Sequence, residues 1–229
     1  MDTGEASDEA LWARAAEDDS LSRAEALSEL GVRFFGRRDF EQCFAVAEQA
    51  AHLFKGLGDD EREGRNLYGA AACLCRLDRH DEAITTWAQA AKAYRRGGRE
   101  SDIADCDMRA AECLQALDRC DEARSHFRSA LDLYASEDNR RAEGETALSL
   151  GELEGQAGDF ATAGDILERA RLAFRAVGAA SDVARATDRL AAARIEQGRL
   201  PEALELLCQQ AGSGAGPGRR RGAPGRGLP

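Results

Sequence analysis

The segment Arg79-His80-Asp81-Glu82-Ala83 returns 40 residues later as Arg119-Cys120-Asp121-Glu122-Ala123. Related segments end at Cys43, Ala163 and Ala203, so the last residues of five copies lie at positions 43, 83, 123, 163 and 203. Every interval is 40 residues, and no insertion interrupts the series. Such a fixed period predicts a stack of similar structural units rather than a set of unrelated helices.

Each unit contains two amphipathic segments with residues that repeat in register. A small residue lies twelve positions before the end of each recurring segment: Gly31, Ala71, Ala111, Gly151 and Ala191. Small side chains let helix axes approach closely, so this position predicts the contact between paired helices. An aromatic residue lies eleven positions after the segment in four copies: Phe54, Tyr94, Tyr134 and Phe174. It predicts that the second helix closes against the next unit.

The residues between the segments are of the types expected at helix ends. Gly58, Gly98 and Gly178 stand where a helix is expected to end, since glycine tolerates the left-handed conformation of a helix terminus. No run of alternating β-branched residues occurs, so no strand is predicted. The fold class predicted from the residues is therefore all-α.

Composition limits the function classes and the location. The 229 residues carry a net charge of −11, which argues against nucleic acid as a partner. Seven cysteines, an odd number without an export signal, favour reduced thiols and a cytoplasmic location. No apolar run approaches the length of a membrane-spanning helix, so no membrane association is predicted. The sequence does not determine the oligomeric state.

Three segments differ in composition. Residues 1–19 form an acidic leader with a candidate capping helix around Ala10–Ala16, in which Trp12 covers the apolar end of the first unit. Residues 20–210 form the repeat region. Residues 211–229 are rich in Gly, Pro and Arg and contain no acid, so a disordered tail is predicted there.

Two stretches resemble the tetratricopeptide repeat (TPR) pattern of small residue, glycine-acid turn, aromatic and alanine. They are Leu30-Gly31 followed by Phe34 and Asp39-Phe40, and Leu150-Gly151 followed by Gly158-Asp159-Phe160 and Ala163. The period differs, because TPR units usually have about 34 residues. The chain is therefore similar to the long-period subgroup of the family, which includes peptide-sensing bacterial regulators. Glu154 and Arg194 also depart from the pattern, which favours an aromatic there.

The resemblance implies a right-handed α-solenoid of about five helix-turn-helix repeats, whose first helices line a concave groove for a protein or peptide. The groove-facing register of the family implies a partner-binding set of mixed charge: Arg65, Tyr68, Arg76, Asp105, Met108, Arg109, Glu112, Glu152, Arg185 and Arg189. Tyr68 and Met108 would supply apolar anchors, and the charged residues would select the partner.

No residue pattern predicts an enzyme, a metal site or a cofactor. Most cysteines are expected to pack in the core, with Cys75 and Cys120 as the more exposed thiols, and no four-ligand zinc spacing is present. The histidines occupy unrelated places in the units, so no catalytic dyad is predicted. The sequence thus predicts a scaffold that binds a peptide or helix of a partner protein. The alternative is a regulatory protein that senses a peptide or another ligand.

Overall fold

A computed structural model describes residues 7–214 of the chain. Those residues form helices joined by short turns, with no strand among them, which confirms the all-α prediction. None of the described helices combines the length and the apolarity needed to cross a lipid bilayer. The eleven helices in the described range are α1 (Asp8–Ala15), α2 (Ser20–Gly36), α3 (Phe40–Gly56), α4 (Asp60–Arg76), α5 (His80–Arg96), α6 (Glu100–Ala116), α7 (Cys120–Ser136), α8 (Arg140–Gln156), α9 (Phe160–Ala176), α10 (Ala180–Glu196) and α11 (Leu200–Gly214).

The helices repeat at half the period of the sequence. From α2 to α10 every helix has 17 residues, and a new helix starts every 20 residues. Three residues therefore join each pair of neighbours, both within a repeat and between repeats. The 40-residue period of the sequence thus consists of two structural half-periods of equal length.

Each three-residue turn has the same backbone geometry. Its middle residue adopts a positive φ in all nine turns, at Gly58, Gly98, Gly158, Gly178 and Gly198 and also at Arg38, Asp78, Asp118 and Asp138. The amide of the following residue donates a hydrogen bond back to the carbonyl five residues earlier, at 2.8–3.0 Å in every turn. This bond defines the Schellman motif, which satisfies carbonyls left free at a helix end. The predicted helix ends are confirmed.

The small residues twelve positions before each segment end lie where helices meet. All five are buried, but the space around the two glycines differs. A Cβ atom added to Gly31 would lie 3.5 Å from Val46 Cγ2, an ordinary contact, whereas one added to Gly151 would lie 2.6 Å from Leu167 Cγ. The recurring aromatics are also buried, from Phe174 at 0% to Tyr94 at 4% exposure.

The described helices fall into two compact units, one up to Thr146 and the other from Ala147 onward. The first unit holds α1 to α7 and the start of α8, and its core includes Leu30, Phe54 and Trp87. The second holds the rest of α8 and α9 to α11, with Leu167 and Leu190 buried inside it. The sequence does not mark this division, because the period continues through it.

At the beginning of the described range, α1 packs on α2 as the predicted cap, but through another residue. Leu11 is fully buried, whereas Trp12 remains 47% exposed at 6.4 Å from the Phe34 ring. At the other end α11 continues to Gly214, so residues 211–214 are helical rather than part of a disordered tail. The remainder of that predicted tail, 215–229, and residues 1–6 of the leader lie outside the described residues.

Candidate functional site

The first unit has a pocket of about 460 Å³ on the side formed by its first helices. Its walls come from α2, α4 and α6, and the start and first turns of α5 close one side. Four of the predicted binding residues meet there, namely Tyr68, Arg76, Arg109 and Glu112. The other residues around it are Phe35, Ala72, Cys75, His80, Trp87 and Cys113.

Aromatic rings provide the apolar part of this pocket. The Tyr68 ring packs edge-on against Trp87, with centroids 4.5 Å apart and planes at 70°. Trp87 is only 2% exposed, so it holds Tyr68 in place from the core side. Phe35, on α2, is 40% exposed and leaves apolar surface open to a ligand. Burial also raises the pKa of Tyr68 above its ordinary value, so the phenol stays neutral and can donate a hydrogen bond.

The charged part of the pocket contains two arginines in different situations. Arg109 Nη1 lies 2.9 Å from a carboxylate oxygen of Glu112. Desolvation opposes the charge on Arg109, but its hydrogen bonds to Glu112 and Tyr68 prevail and raise its pKa. Arg76 is exposed and makes no ion pair with any residue in the described range. Arg109 is therefore a fixed, neutralised cation, and Arg76 is a cation available to an anionic group.

Three further predicted residues of this unit lie outside the pocket wall. Arg65 pairs with Glu61 at 2.9 Å on the exposed face of α4. Asp105 accepts a hydrogen bond from the Tyr134 hydroxyl. Met108 is only 7% exposed, and its sulfur lies 3.2 Å from the Thr146 hydroxyl. Met108 therefore packs within the unit and does not line the pocket, unlike the apolar anchor predicted from the sequence.

The second unit brings two of its three predicted residues together. Arg189 Nε donates to Glu152 Oε1 at 2.8 Å, and both line a smaller cavity of about 260 Å³. Arg185 pairs instead with Asp182 at 3.2 Å. A larger cavity of about 890 Å³ lies among α9, α10 and α11, but no predicted binding residue lines it.

Two thiols and an imidazole meet in the wall of the first unit's pocket. Cys75 Sγ and Cys113 Sγ are 2.7 Å apart. A ring nitrogen of His80 and both sulfurs all lie within 4.8 Å of one another. The hydrogen bond with Cys113 lowers the pKa of Cys75 to about 6 and raises that of Cys113. Sequence reasoning missed this group because it compared residues 40 positions apart, and these two cysteines are 38 apart.

Consecutive packing of helix pairs, with small residues at each helix contact, defines a TPR-like helical-repeat protein. A family model for the soluble NSF attachment protein, SNAP, matches residues 15–126 and 41–213. The chain belongs to this family of TPR-like repeats, which confirms the predicted resemblance and the solenoid fold class.

Several solved structures have folds similar to that of this chain. BtubC (BKLC) from P. vanneervenii is 20% identical, with a TM-score of 0.72 over 95% of this chain and 92% of that one. The putative kinesin light chain TPR-like repeats of Podosopora anserina are 18% identical, with a TM-score of 0.64 over 87% and 98%. A Rap protein complexed with competence and sporulation factor is 16% identical, with a TM-score of 0.59 over 90% and 58%. No curated protein matches the chain.

Proposed function

We propose that the chain is a protein-binding scaffold whose first unit holds a peptide or helical segment of a partner in the pocket beside Tyr68. The observation that carries this proposal is the meeting of Tyr68, Arg76, Arg109 and Glu112, from α4 and α6, with the exposed ring of Phe35 from α2. Aromatic anchors with an arginine beside them are typical of the residues that dominate binding at protein interfaces.

The pocket favours a segment with an apolar side chain next to a carboxylate. The apolar side chain would pack on Phe35 and Tyr68, which leave ring surface open to solvent. The carboxylate would pair with Arg76, because Arg109 is already neutralised by Glu112 at 2.9 Å. Charge-assisted bonds of this kind fix the register of a bound segment.

The test is retention of partners on the immobilised chain by charge-reversal variants. Arg76→Glu and Arg109→Glu should each lose the same partners. Each should also lower the affinity for a partner-derived peptide at least about tenfold, which corresponds to a loss of at least about 1.4 kcal/mol of binding free energy. Arg95→Glu is the matched control, since Arg95 is an exposed arginine on α5 that does not line the pocket. Circular dichroism would show that helicity is kept.

Unchanged retention by both pocket variants, or equal loss in the Arg95→Glu control, would contradict the proposal. In the second unit, Arg185→Glu and Arg189→Glu test whether the predicted residues there contribute to the same partner.

The second candidate is a regulatory protein that senses a peptide or another ligand. The likeness to the Rap protein complexed with competence and sporulation factor favours it at the level of the fold. Its signature would be a reduced radius of gyration in small-angle scattering when the ligand is added, with no change expected for a rigid scaffold. For either candidate we propose a cytoplasmic protein without catalytic activity of its own.

A further inference from the structure

We propose that Cys75, His80 and Cys113 form a zinc-binding site in the wall of the first unit's pocket. Both sulfurs and a ring nitrogen of His80 already lie within 4.8 Å of one another. The site needs no partner protein, so it goes beyond the proposed scaffold function. It also departs from the expectation of no metal site, which rested on ligand spacing along the sequence.

Three consecutive helices bring the ligands together. Cys75 lies in the last turn of α4, His80 begins α5, and Cys113 lies near the end of α6. The turn through Asp78, with a φ of 57°, reverses the chain between Cys75 and His80. The repeat equivalent of Cys113 is Cys73, which is buried in the core with Leu30 and Phe54 instead. Cys75 is therefore an additional thiol that faces the pocket.

The donor atoms suit zinc, which prefers thiolate and imidazole ligands. With zinc–sulfur bonds of about 2.3 Å in tetrahedral geometry, the two sulfurs would be about 3.8 Å apart. They are 2.7 Å apart here, so they must separate by about 1 Å. Cys75 is half-buried and lines the open pocket, so a small rotation about its Cα–Cβ bond can provide this movement.

The two ring nitrogens of His80 lie in different environments. Its Nδ1 is buried and has no hydrogen-bond partner among the described residues. Its Nε2 lies 3.9 Å from Asp78 Oδ1, which is too long for a hydrogen bond. We therefore assign Nδ1 as the zinc ligand.

Charge balance favours a divalent ion. Any proton still held by either thiol is released to solvent as the sulfur binds, and two thiolates with a neutral imidazole cancel the charge of Zn²⁺. A monovalent copper ion would leave one negative charge in a half-buried place. The fourth coordination position would open into the pocket, where Glu112 is also present, so water or a ligand could occupy it.

The test is zinc titration of the full chain, kept reduced with a phosphine, against a chromophoric chelator. The parent should bind one zinc ion. Cys75→Ser and His80→Gln should each weaken zinc binding by at least about 100-fold. Loss of a residue that only supports a ligand costs up to about 100-fold, so a larger effect indicates a direct ligand. Cys120→Ser and His52→Gln are matched controls, because these residues lie outside the three-residue group, and they should bind zinc as the parent does.

A second readout separates coordination from a folding defect. Zinc should protect Cys75 and Cys113 from alkylation, as mapped by mass spectrometry, while Cys208, which is exposed, stays reactive. The proposal is overturned if the reduced parent binds no zinc, if the controls lose as much affinity as the ligand variants, or if copper(I) but not zinc is bound. Arg95→Glu, which lies outside the pocket, should leave zinc affinity unchanged. The titration contains no partner protein, which separates this test from that of the scaffold function.

Discussion

At the level of single residues, the same amino acid in the same register has opposite structural roles in the two units. Gly31 and Gly151 both lie twelve positions before a segment end, and both are buried. A methyl group fits beside Gly31 but would collide with the Leu167 side chain at Gly151. Leu167 is itself only 2% exposed, so it has little room to move away.

We expect Gly31→Ala to stabilise the protein by about 0.5–1 kcal/mol, because alanine is the better helix former. Gly151→Ala should destabilise it by about 1–2 kcal/mol through overpacking. Urea denaturation followed by circular dichroism measures both free energies of unfolding. Two changes of the same sign would show that the space beside these glycines does not decide the outcome.

Asp105 is a second residue whose surroundings define a testable effect. Burial raises the pKa of its carboxyl group above 3.8, and the negative charge of Asp102 acts in the same direction. The Tyr134 hydroxyl, which donates to Asp105, and the positive charge of Arg109 oppose this shift without cancelling it. The folded state therefore holds the Asp105 proton more tightly than the unfolded chain does.

Stability contributed by this proton is complete below pH 3.8 and is lost as pH rises through the folded-state pKa. An asparagine side chain at this position would keep an acceptor for Tyr134 and bear no charge. The free energy of unfolding of Asp105→Asn should therefore rise relative to that of the parent as the pH increases from about 3.5 to about 7. Asp132→Asn, on the exposed surface of α7, controls for the loss of one carboxylate; an equal trend there would contradict the assignment.

At the level of helices and turns, the Schellman geometry explains why the connectors are short and uniform. Five of the nine left-handed positions are glycines, and four are Arg or Asp. A left-handed conformation costs about 1–2 kcal/mol for an ordinary residue, and less for Asp, whose side chain can bond locally. Arg38 is consequently the least suitable residue among the nine.

Arg38→Gly should stabilise the protein by about 0.5–1 kcal/mol, and Gly58→Ala should destabilise it by about 1 kcal/mol. Both positions are exposed, so neither substitution removes buried contacts that would add to the change in unfolding free energy. Thermal and urea unfolding would measure both changes. If Arg38→Gly lowered the stability, the backbone conformation would not be the main cost at this turn.

The sequence predicted the helices well, but the site only in part. Small and aromatic residues at a 40-residue period are sufficient to place the helix contacts, because those contacts depend on side-chain size. The turn at Asp138 was less visible, since no glycine marks it and its conformation is set by the hydrogen bonds around it. Trp87 was missed because the resemblance directs attention to first helices, and Trp87 lies on α5.

At the level of the whole molecule, repeats that contact only their neighbours should contribute to stability nearly independently. Arg38 and Asp118 lie in turns of the first unit that are 80 residues apart. The effects of Arg38→Gly and Asp118→Gly on the free energy of unfolding should add within about 0.5 kcal/mol. Urea denaturation of the two single variants and the double variant tests this. A larger interaction energy would reveal cooperation between distant repeats.

The equal helices and identical turns also affect how such a chain can change its length. Removing or inserting 40 residues within the repeat region leaves every remaining turn three residues long, with a left-handed central residue and the same returning hydrogen bond. Recombination between copies can therefore lengthen or shorten the array without creating a new type of turn between helices. The number of side chains offered to a partner can grow in whole increments, while the backbone that carries them stays the same.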